Sequence, residues 1–198
     1  HLQEVEANKA AHKLGIAPKI IFYNDNVIVF EYIPHKVLTI EDVKKEKTLK
    51  QIVFLLKIVH KKVHNYFRGP AMICWNFHSV IDYIRTLKKI NSPYIEKLSN
   101  FVKDIKIFED ISSPFEIVFT HGDLYLPNIL NTGKELQLID WEYAGFNSPL
   151  NDLSSIAKHA KLNQEEEKFL LNQYYEIPIT LKLMQKLQAM KCASILKE

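Results

Sequence analysis

Three polar side chains between Phe119 and Leu153 have the types and the spacing that one particular reaction requires. Asp123 follows a short apolar stretch, Asn128 comes after it in the same loop, and Asp140 ends a later apolar stretch. A carboxylate can accept the proton of an attacking hydroxyl, while an amide and a second carboxylate can hold the magnesium ion that bridges nucleotide phosphates. Magnesium takes few ligands from protein and the rest from phosphate and water, so two side chains suffice.

The elements that must position these groups are a strand, a loop and a hairpin. Residues 116–120 are apolar and rich in β-formers, which predicts a buried strand that leads into the loop containing Asp123. Two short apolar runs flank residues 131–134, whose composition is typical of a hairpin turn. Because a hairpin brings its outer ends together, we expect Asn128 and Asp140 to be neighbours in space.

The order and spacing of these residues resemble those of the kinase-like phosphotransferases that act on small molecules. The similar positions are His121-Gly122-Asp123 with Asn128 for the catalytic loop, and Ile139-Asp140 for the metal-binding aspartate. The next segment, IDWEYAG followed by Asn147, Pro149, Leu150 and Asp152-Leu153, looks most like choline and ethanolamine kinases, with thiamine kinase close behind. One position departs from the pattern. Choline kinases usually have asparagine where this chain has Gly122, and aminoglycoside and thiamine kinases often have glycine there.

The resemblance implies an α+β, protein-kinase-like fold with two lobes. Residues 1–33 would be a remnant of the N-terminal nucleotide-binding lobe, and residues 34–198 a mostly helical lobe for catalysis and substrate binding. We expect the small lobe to be incomplete, because the family's phosphate loop and lysine-bearing strand are missing from the sequence. The first helix, at residues 2–14, also starts without a capping residue.

Helix-start signals divide the larger lobe. The capping patterns are Thr39 with Asp42, Asn163 with Glu166, and Thr180 before the last helix. Ser92 with Pro93 predicts a further helix start, with serine as the cap. His60 and His64 lie four residues apart in the helical pattern at 48–64, but no third ligand accompanies them, so we interpret them as structural.

The resemblance implies a function and a role for each group in the central stretch. Asp123 is expected to be the catalytic base that orients the acceptor hydroxyl, and Asn128 and Asp140 are expected to bind Mg²⁺, with ATP as co-substrate. The expected activity is phosphorylation of a small amino-alcohol, choline or ethanolamine. Thiamine or an aminoglycoside as acceptor is the first alternative. A catalytically dead binding module with the same fold is the second, supported only by the missing lysine and phosphate loop.

Three more residues are expected to support this centre. His121 would tie the catalytic loop to the segment around the metal-binding aspartate. Asp152 would open a helix and brace the loop by accepting hydrogen bonds, with helix capping alone as the alternative. Glu142 would reach a second magnesium ion through water or face the substrate, and we rank it below the catalytic base and the two metal ligands.

Two nucleotide contacts follow from the resemblance only. Glu4 falls where the family places the glutamate that pairs with its lysine. Glu6 is the second candidate, and an ordinary solvated helix residue is the alternative. Glu31 and Ile33 end a strand that would become the hinge, where a backbone carbonyl and a backbone amide bind adenine. A plain strand end closed by Pro34 is the alternative.

A permanently charged acceptor needs aromatic faces together with carboxylates. The aromatic candidates for this contact are Tyr125, Trp141 and Tyr143, followed by Phe146 and Trp75. Core packing is the alternative for each of the five, and we expect one or two of them to contact the cation.

Composition adds little about partners. The chain has 198 residues and a formal net charge of +3, and its lysines are scattered as on solvated helix faces. Without a clustered basic patch, nucleic acid is not an expected partner. The two cysteines, Cys74 and Cys192, form no metal or redox motif. No apolar run could span a membrane and no signal peptide is recognisable, so a cytoplasmic location is expected, while the oligomeric state stays open.

Overall fold

The computed structural model of the chain describes residues 2–197, apart from the side chain of Ser99. Its helices are α1 (Leu2–Lys13), α2 (Ile40–Lys44), α3 (Glu46–Lys62), α4 (Asn76–Lys89), α5 (Ile95–Ser112), α6 (Pro149–His159), α7 (Gln164–Tyr175) and α8 (Leu181–Lys197). Its strands are β1 (Ile20–Tyr23), β2 (Ile28–Phe30), β3 (Lys36–Val37), β4 (Met72–Ile73), β5 (Val118–Thr120), β6 (Ile129–Asn131), β7 (Leu136–Leu138) and β8 (Gly145–Asn147). This α+β composition with a mostly helical larger lobe confirms the predicted fold class.

The small-lobe segment consists of α1 and the antiparallel hairpin of β1 and β2. Buried Asn8 on α1 donates from Nδ2 to the carbonyl oxygen of Pro18 at 2.9 Å, which fixes the turn between helix and strand. The N–H of Leu138 donates to the carbonyl oxygen of Ile16 at 2.8 Å, so the same turn is held against the hairpin of the large lobe. The boundary between lobes near Pro34 stays a prediction.

Two three-stranded sheets frame the central loop. One has the order β3-β6-β7, and its β6–β7 hairpin pairs Ile129 with Leu138, as the turn at residues 131–134 predicts. The other has the order β4-β8-β5, and it pairs Thr120 with Gly145. The pairing of β8 draws the chain after Asp140 back alongside the strand that precedes the loop. Sequence patterns did not predict β8.

Helix packing supplies most of the core of the large lobe. Helix α3 buries the apolar face predicted for residues 48–64, including Leu49, Ile52 and Leu56. The capping boxes at Thr39 and Asn163 both form, and Ser148 caps α6 through its hydroxyl.

The predicted serine cap of α5 is wrong. That helix begins at Ile95 after Tyr94, and Ser92 belongs to the preceding turn. Among residues 2–197, no helix combines the length and the apolar character needed to cross a membrane.

Candidate active site

The loop after β5 takes its shape from Gly122. This residue has a φ of +88°, and a Cβ atom built on it would overlap the carbonyl oxygen of Tyr143. Any residue with a side chain would meet both backbone strain and a steric clash at this position. The glycine therefore lets the loop at residues 121–123 lie directly against the segment that follows Asp140.

The hairpin brings the predicted metal ligands together. The N–H of Ile139 donates to the carbonyl oxygen of Asn128 at 3.1 Å. This hydrogen bond places Asp140, the next residue, beside Asn128. The Nδ2 of Asn128 donates to the carbonyl oxygen of Asp123 at 3.0 Å, which orients the amide and leaves its Oδ1 as the atom able to meet a cation. Asp140 has a φ of +66°, a strained conformation that is frequent at functional sites.

Asp123, Asp140 and Glu142 form a compact group that we call the acidic cluster. One carboxylate oxygen from each lies within 4.8 Å of the others. Partial burial, followed by the charges of Asp140, Glu4 and Asp123, raises the pKa of Glu142. The three negative carboxylates lie close enough to repel one another, and a divalent cation would relieve that repulsion. Because Mg²⁺ prefers oxygen ligands, this donor set fits Mg²⁺. Glu142 is the most exposed of the three, yet its carboxylate lies within reach of the other two.

Helix α1 reaches this cluster through its first turn. The Nε2 of Gln3 donates to the carbonyl oxygen of Ala144. Burial raises the pKa of Glu4, and the charge of Asp140 raises it further, which places this carboxylate beside the acidic cluster. Glu6 instead pairs with Lys9 at 2.9 Å on the other side of the helix. Glu4 is thus the glutamate whose charge interacts with the acidic cluster, and its role in the family's ion pair stays a prediction.

Beneath the loop lies a second polar group, Asp152, His60 and Tyr174, which we call the buried anchor. Asp152 is fully buried and accepts hydrogen bonds from the backbone N–H groups of His121 at 2.8 Å and Gly122 at 3.0 Å. The Nε2–H of His60 donates to the same carboxylate at 3.0 Å, and the hydroxyl of Tyr174 is hydrogen-bonded to His60 Nδ1 at 2.7 Å.

The donors around Asp152 outweigh its burial. Burial alone would raise the pKa of Asp152, but the hydrogen bonds from the His60 side chain and from the His121 backbone hold that pKa below its usual range. Asp152 thus braces the loop, as predicted, while Ser148 is the residue that caps α6. His60 is a structural histidine, and both of its ring nitrogens are occupied.

His121 is neutral and structural. Its Nε2–H donates to the carbonyl oxygen of Ile139 at 2.9 Å, which ties the loop to the residue before Asp140 as the resemblance implies. Its buried Nδ1 has no hydrogen-bond partner, so a second proton there would be unsatisfied. Burial accordingly lowers the pKa of His121, against the opposing charge of Asp152.

The predicted hinge has backbone groups available. The N–H of Glu31 donates to the carbonyl oxygen of Lys19 at 2.8 Å, and the carbonyl oxygen of Ile33 accepts from His35 Nδ1 at 2.7 Å. Among the described residues, the Glu31 carbonyl and the Ile33 N–H remain unpaired. These are the two groups assigned to adenine, so the arrangement is compatible with the hinge role.

A cavity of about 260 Å³ opens beside Asp123 and Glu142. Tyr143 lines it, and the ammonium of Lys197 lies 4.9 Å from the centroid of the Tyr143 ring. Sequence patterns did not indicate the other lining residues, Asn76, Asn151, Ser155, Ser194 and Lys197, because they come from distant helices and no local motif marks them.

The other aromatic candidates lie in less accessible positions. The structure gives Trp141 no exposed surface: its ring packs on His121 and its Nε1–H donates to the Leu138 carbonyl, so the substrate contact predicted for it is not supported. Tyr125 is half-buried against His159. Trp75 and Phe146 each make an edge-to-face contact with another aromatic ring.

Comparison with known proteins agrees with this geometry. A family model described as choline/ethanolamine kinase matches residues 1–177. The LicA protein of Haemophilus influenzae is 40% identical over 120 residues, which cover 57% of this chain and 35% of that protein. The chain spans between about a third and three fifths of the length of the curated relatives it matches.

Solved structures show the same fold at lower identity. An ethanolamine kinase from Plasmodium vivax superposes with a TM-score of 0.81 at 19% identity, covering 100% of this chain and 64% of that one. The choline kinase LicA from Streptococcus pneumoniae gives a TM-score of 0.73 at 20% identity, with 96% and 69% coverage.

Proposed function

The chain belongs to the choline/ethanolamine kinase family. On this premise we propose that it forms part of an ATP-dependent kinase that phosphorylates the hydroxyl of choline or ethanolamine. The observation that carries the proposal is the convergence of Asp123, Asn128 and Asp140 on one side of the loop. A base on the loop and two metal ligands at the ends of the adjoining hairpin form the set that phosphoryl transfer requires. A cytoplasmic location, where ATP is abundant, is part of the same proposal.

Asp123 is the group that acts on the acceptor. The acceptor oxygen attacks the γ-phosphorus of ATP, the bond from that phosphorus to the β–γ bridging oxygen breaks, and ADP leaves. The hydroxyl proton passes to the Asp123 carboxylate late in a loose transition state, so orientation of the hydroxyl is the main task of this residue. Hydrogen bonds from the loop backbone to Asp152 hold Asp123 in place.

The metal ligands are Asn128 through Oδ1 and Asp140, and the carboxylate of Glu142 is within reach as a third ligand. When bound there, Mg²⁺ neutralises charge on the β- and γ-phosphates. The chain's own contribution is to hold the carboxylate oxygens of the acidic cluster close together, although they repel one another. The energy released when a cation relieves that repulsion favours binding.

The hinge at Glu31 and Ile33 and the carboxylate of Glu4 are the proposed contacts on the nucleotide side. In this proposal the Glu31 carbonyl and the Ile33 N–H receive adenine. Glu4 would hold the family's lysine toward the phosphates. Support comes from the unpaired hinge groups and from the electrostatic contact between Glu4 and Asp140.

The acceptor site is proposed for the polar cavity beside Asp123. A cationic amino-alcohol needs an aromatic face and a carboxylate near its ammonium end. Tyr143 and Glu142 offer this pair, and the Tyr143 ring already faces the ammonium of Lys197. Tyr125 lies further out on the loop and remains a second candidate contact.

A substrate panel tests the proposal. Intact protein is given ATP and Mg²⁺ with choline, ethanolamine, thiamine or an aminoglycoside, and ³¹P NMR identifies the product. We expect a phosphomonoester of choline or ethanolamine, at a rate well above ATP hydrolysis alone. Preference for thiamine or the aminoglycoside would overturn the acceptor assignment. Absence of any phosphorylated product would favour the binding module.

A further inference from the structure

The hydroxyl of Tyr174 has a specific partner that no catalytic step uses. It lies 2.7 Å from Nδ1 of His60, and the two rings meet edge to face with centroids 5.4 Å apart. Both side chains are buried, His60 at 2% exposure and Tyr174 at 7%. Tyr174 is on α7, a helix that contributes no residue to the acidic cluster or to the cavity beside it.

This contact and the Asp152 carboxylate together set the hydrogen bonds that the His60 ring can make. A neutral imidazole has one N–H, and the hydrogen bond at the other nitrogen selects its position. The Asp152 carboxylate can only accept a hydrogen bond, and the Tyr174 hydroxyl can donate to the lone pair that remains on Nδ1. The proton of His60 is then on Nε2, where it faces Asp152 Oδ2 at 3.0 Å. In the other tautomer, a nitrogen lone pair would face the carboxylate.

The consequence reaches the catalytic loop through one carboxylate. The same oxygen of Asp152 that accepts from His60 also accepts from the N–H of His121, and its partner oxygen accepts from the N–H of Gly122. A change at Nε2 would therefore alter the position or charge distribution of the group that holds both backbone amides next to Asp123.

We propose that Tyr174 is a positioning residue, whose hydroxyl supports the Nε2–H form and the orientation of His60 that Asp152 requires, and thereby supports the carboxylate that anchors residues 121–123. The effect on turnover rests on the proposed kinase function. The effect on the His60 tautomer and on the loop amides does not depend on it.

The direct test is NMR of ¹⁵N-labelled protein. In the wild type, we expect the Nε2–H tautomer for His60. In Tyr174→Phe, we expect the two ring nitrogen shifts to move toward each other and the amide signals of His121 and Gly122 to shift. The matched control is Tyr175→Phe. Tyr175 meets the ring of Tyr174 edge to face, but no hydrogen bond joins it to the buried anchor among the described residues. An unchanged tautomer and unchanged amides in Tyr174→Phe would overturn the proposal, whether or not the protein is a kinase.

Kinetics of the intact protein supply the second readout. We expect Tyr174→Phe to lower kcat about tenfold while KM for ATP and acceptor changes less than twofold, and Tyr175→Phe to match the wild type. In a His60→Gln background, whose amide has no tautomer to fix, Tyr174→Phe should cause no further loss. An additive loss in that background would show that Tyr174 acts by packing alone and would refute the positioning role. If the wild type has no kinase activity, only the proposed function fails.

Discussion

The acidic cluster and the buried anchor border the same loop, yet their carboxylates have opposite surroundings. Asp152 in the anchor is fully buried and accepts hydrogen bonds from two backbone amides and from His60, and its pKa lies below its usual range. Glu142 in the cluster faces other carboxylates, and its pKa is raised. The anchor is complete as the chain folds, whereas the cluster lacks a positive partner among the described residues.

This contrast indicates that the anchor stabilises the fold, whereas the cluster serves function, although both border the same loop. Charges that the fold itself satisfies contribute to its stability, whereas like charges held together lower the stability until a ligand binds. Substitutions in the anchor should therefore alter folding first. Substitutions in the cluster should alter activity and metal affinity while leaving the fold intact.

The largest expected effect tests the cluster. Asp123→Asn removes the group that receives the acceptor proton, so kcat should fall by about 10³-fold, equivalent to about 4 kcal/mol of transition-state stabilisation. The unfolding free energy should stay close to that of the wild type. Steady-state kinetics and urea denaturation measure the two quantities. Asp104→Asn, an exposed aspartate on α5, serves as the control. Full turnover in the Asp123 variant would remove it from the mechanism.

The next effect tests the anchor. Asp152→Asn replaces a buried carboxylate that accepts hydrogen bonds on both oxygens, so the protein should lose about 3 kcal/mol of unfolding free energy. Urea denaturation monitored by circular dichroism measures the loss. Asp82→Asn, exposed on α4, should change stability by less than about 0.5 kcal/mol. Equal unfolding free energies for Asp152→Asn and Asp82→Asn would contradict the stabilising role assigned to the anchor.

A smaller effect is expected at the rim of the cluster. Glu142→Gln removes one of the three carboxylates, so affinity for Mn²⁺, used as a probe for Mg²⁺, should weaken about tenfold. Stability without metal should not fall, because the substitution also removes repulsion from Asp140. Isothermal titration calorimetry reports the affinity, with Glu41→Gln on α2 as the control. Unchanged Mn²⁺ affinity would place Glu142 outside the metal site.

The smallest effect concerns pH. Folding lowers the pKa of His121, so the unfolded chain takes up a proton below about pH 6.5 that the folded chain does not. This contribution to stability is present above that pH and is lost as the pH falls, with a slope of at most about 1.4 kcal/mol per pH unit. His121→Gln should flatten the fall in unfolding free energy between pH 7 and pH 5. His78→Gln, an exposed histidine on α4, should not. Parallel curves for all three proteins would contradict the neutral state assigned to His121.

The cluster was more predictable from sequence than the anchor, because its geometry is local. The turn at residues 131–134 places Asn128 beside Asp140, and both the turn residues and the flanking apolar runs indicate it. The anchor joins residues 92 and 114 positions apart, at His60 to Asp152 and His60 to Tyr174. No turn or periodicity signal describes such a contact, which depends on how α3, α6 and α7 pack.

The errors have the same cause. Trp141 follows the metal-binding aspartate directly and was a plausible substrate contact, but β8 folds the chain back and buries the ring against His121. The Ser92-Pro93 pair has the composition of a helix start, yet the helix begins at Ile95. In both places tertiary packing or turn geometry overrode a local preference.

The contact between Gly122 and the Tyr143 carbonyl has a consequence for the history of this site. A lineage that places asparagine at the middle of the loop, as choline kinases usually do, must also move the backbone that here leaves no room for a Cβ atom. The two segments should thus be inherited as a matched pair. Transplanting one of them between relatives without the other should disable the recipient.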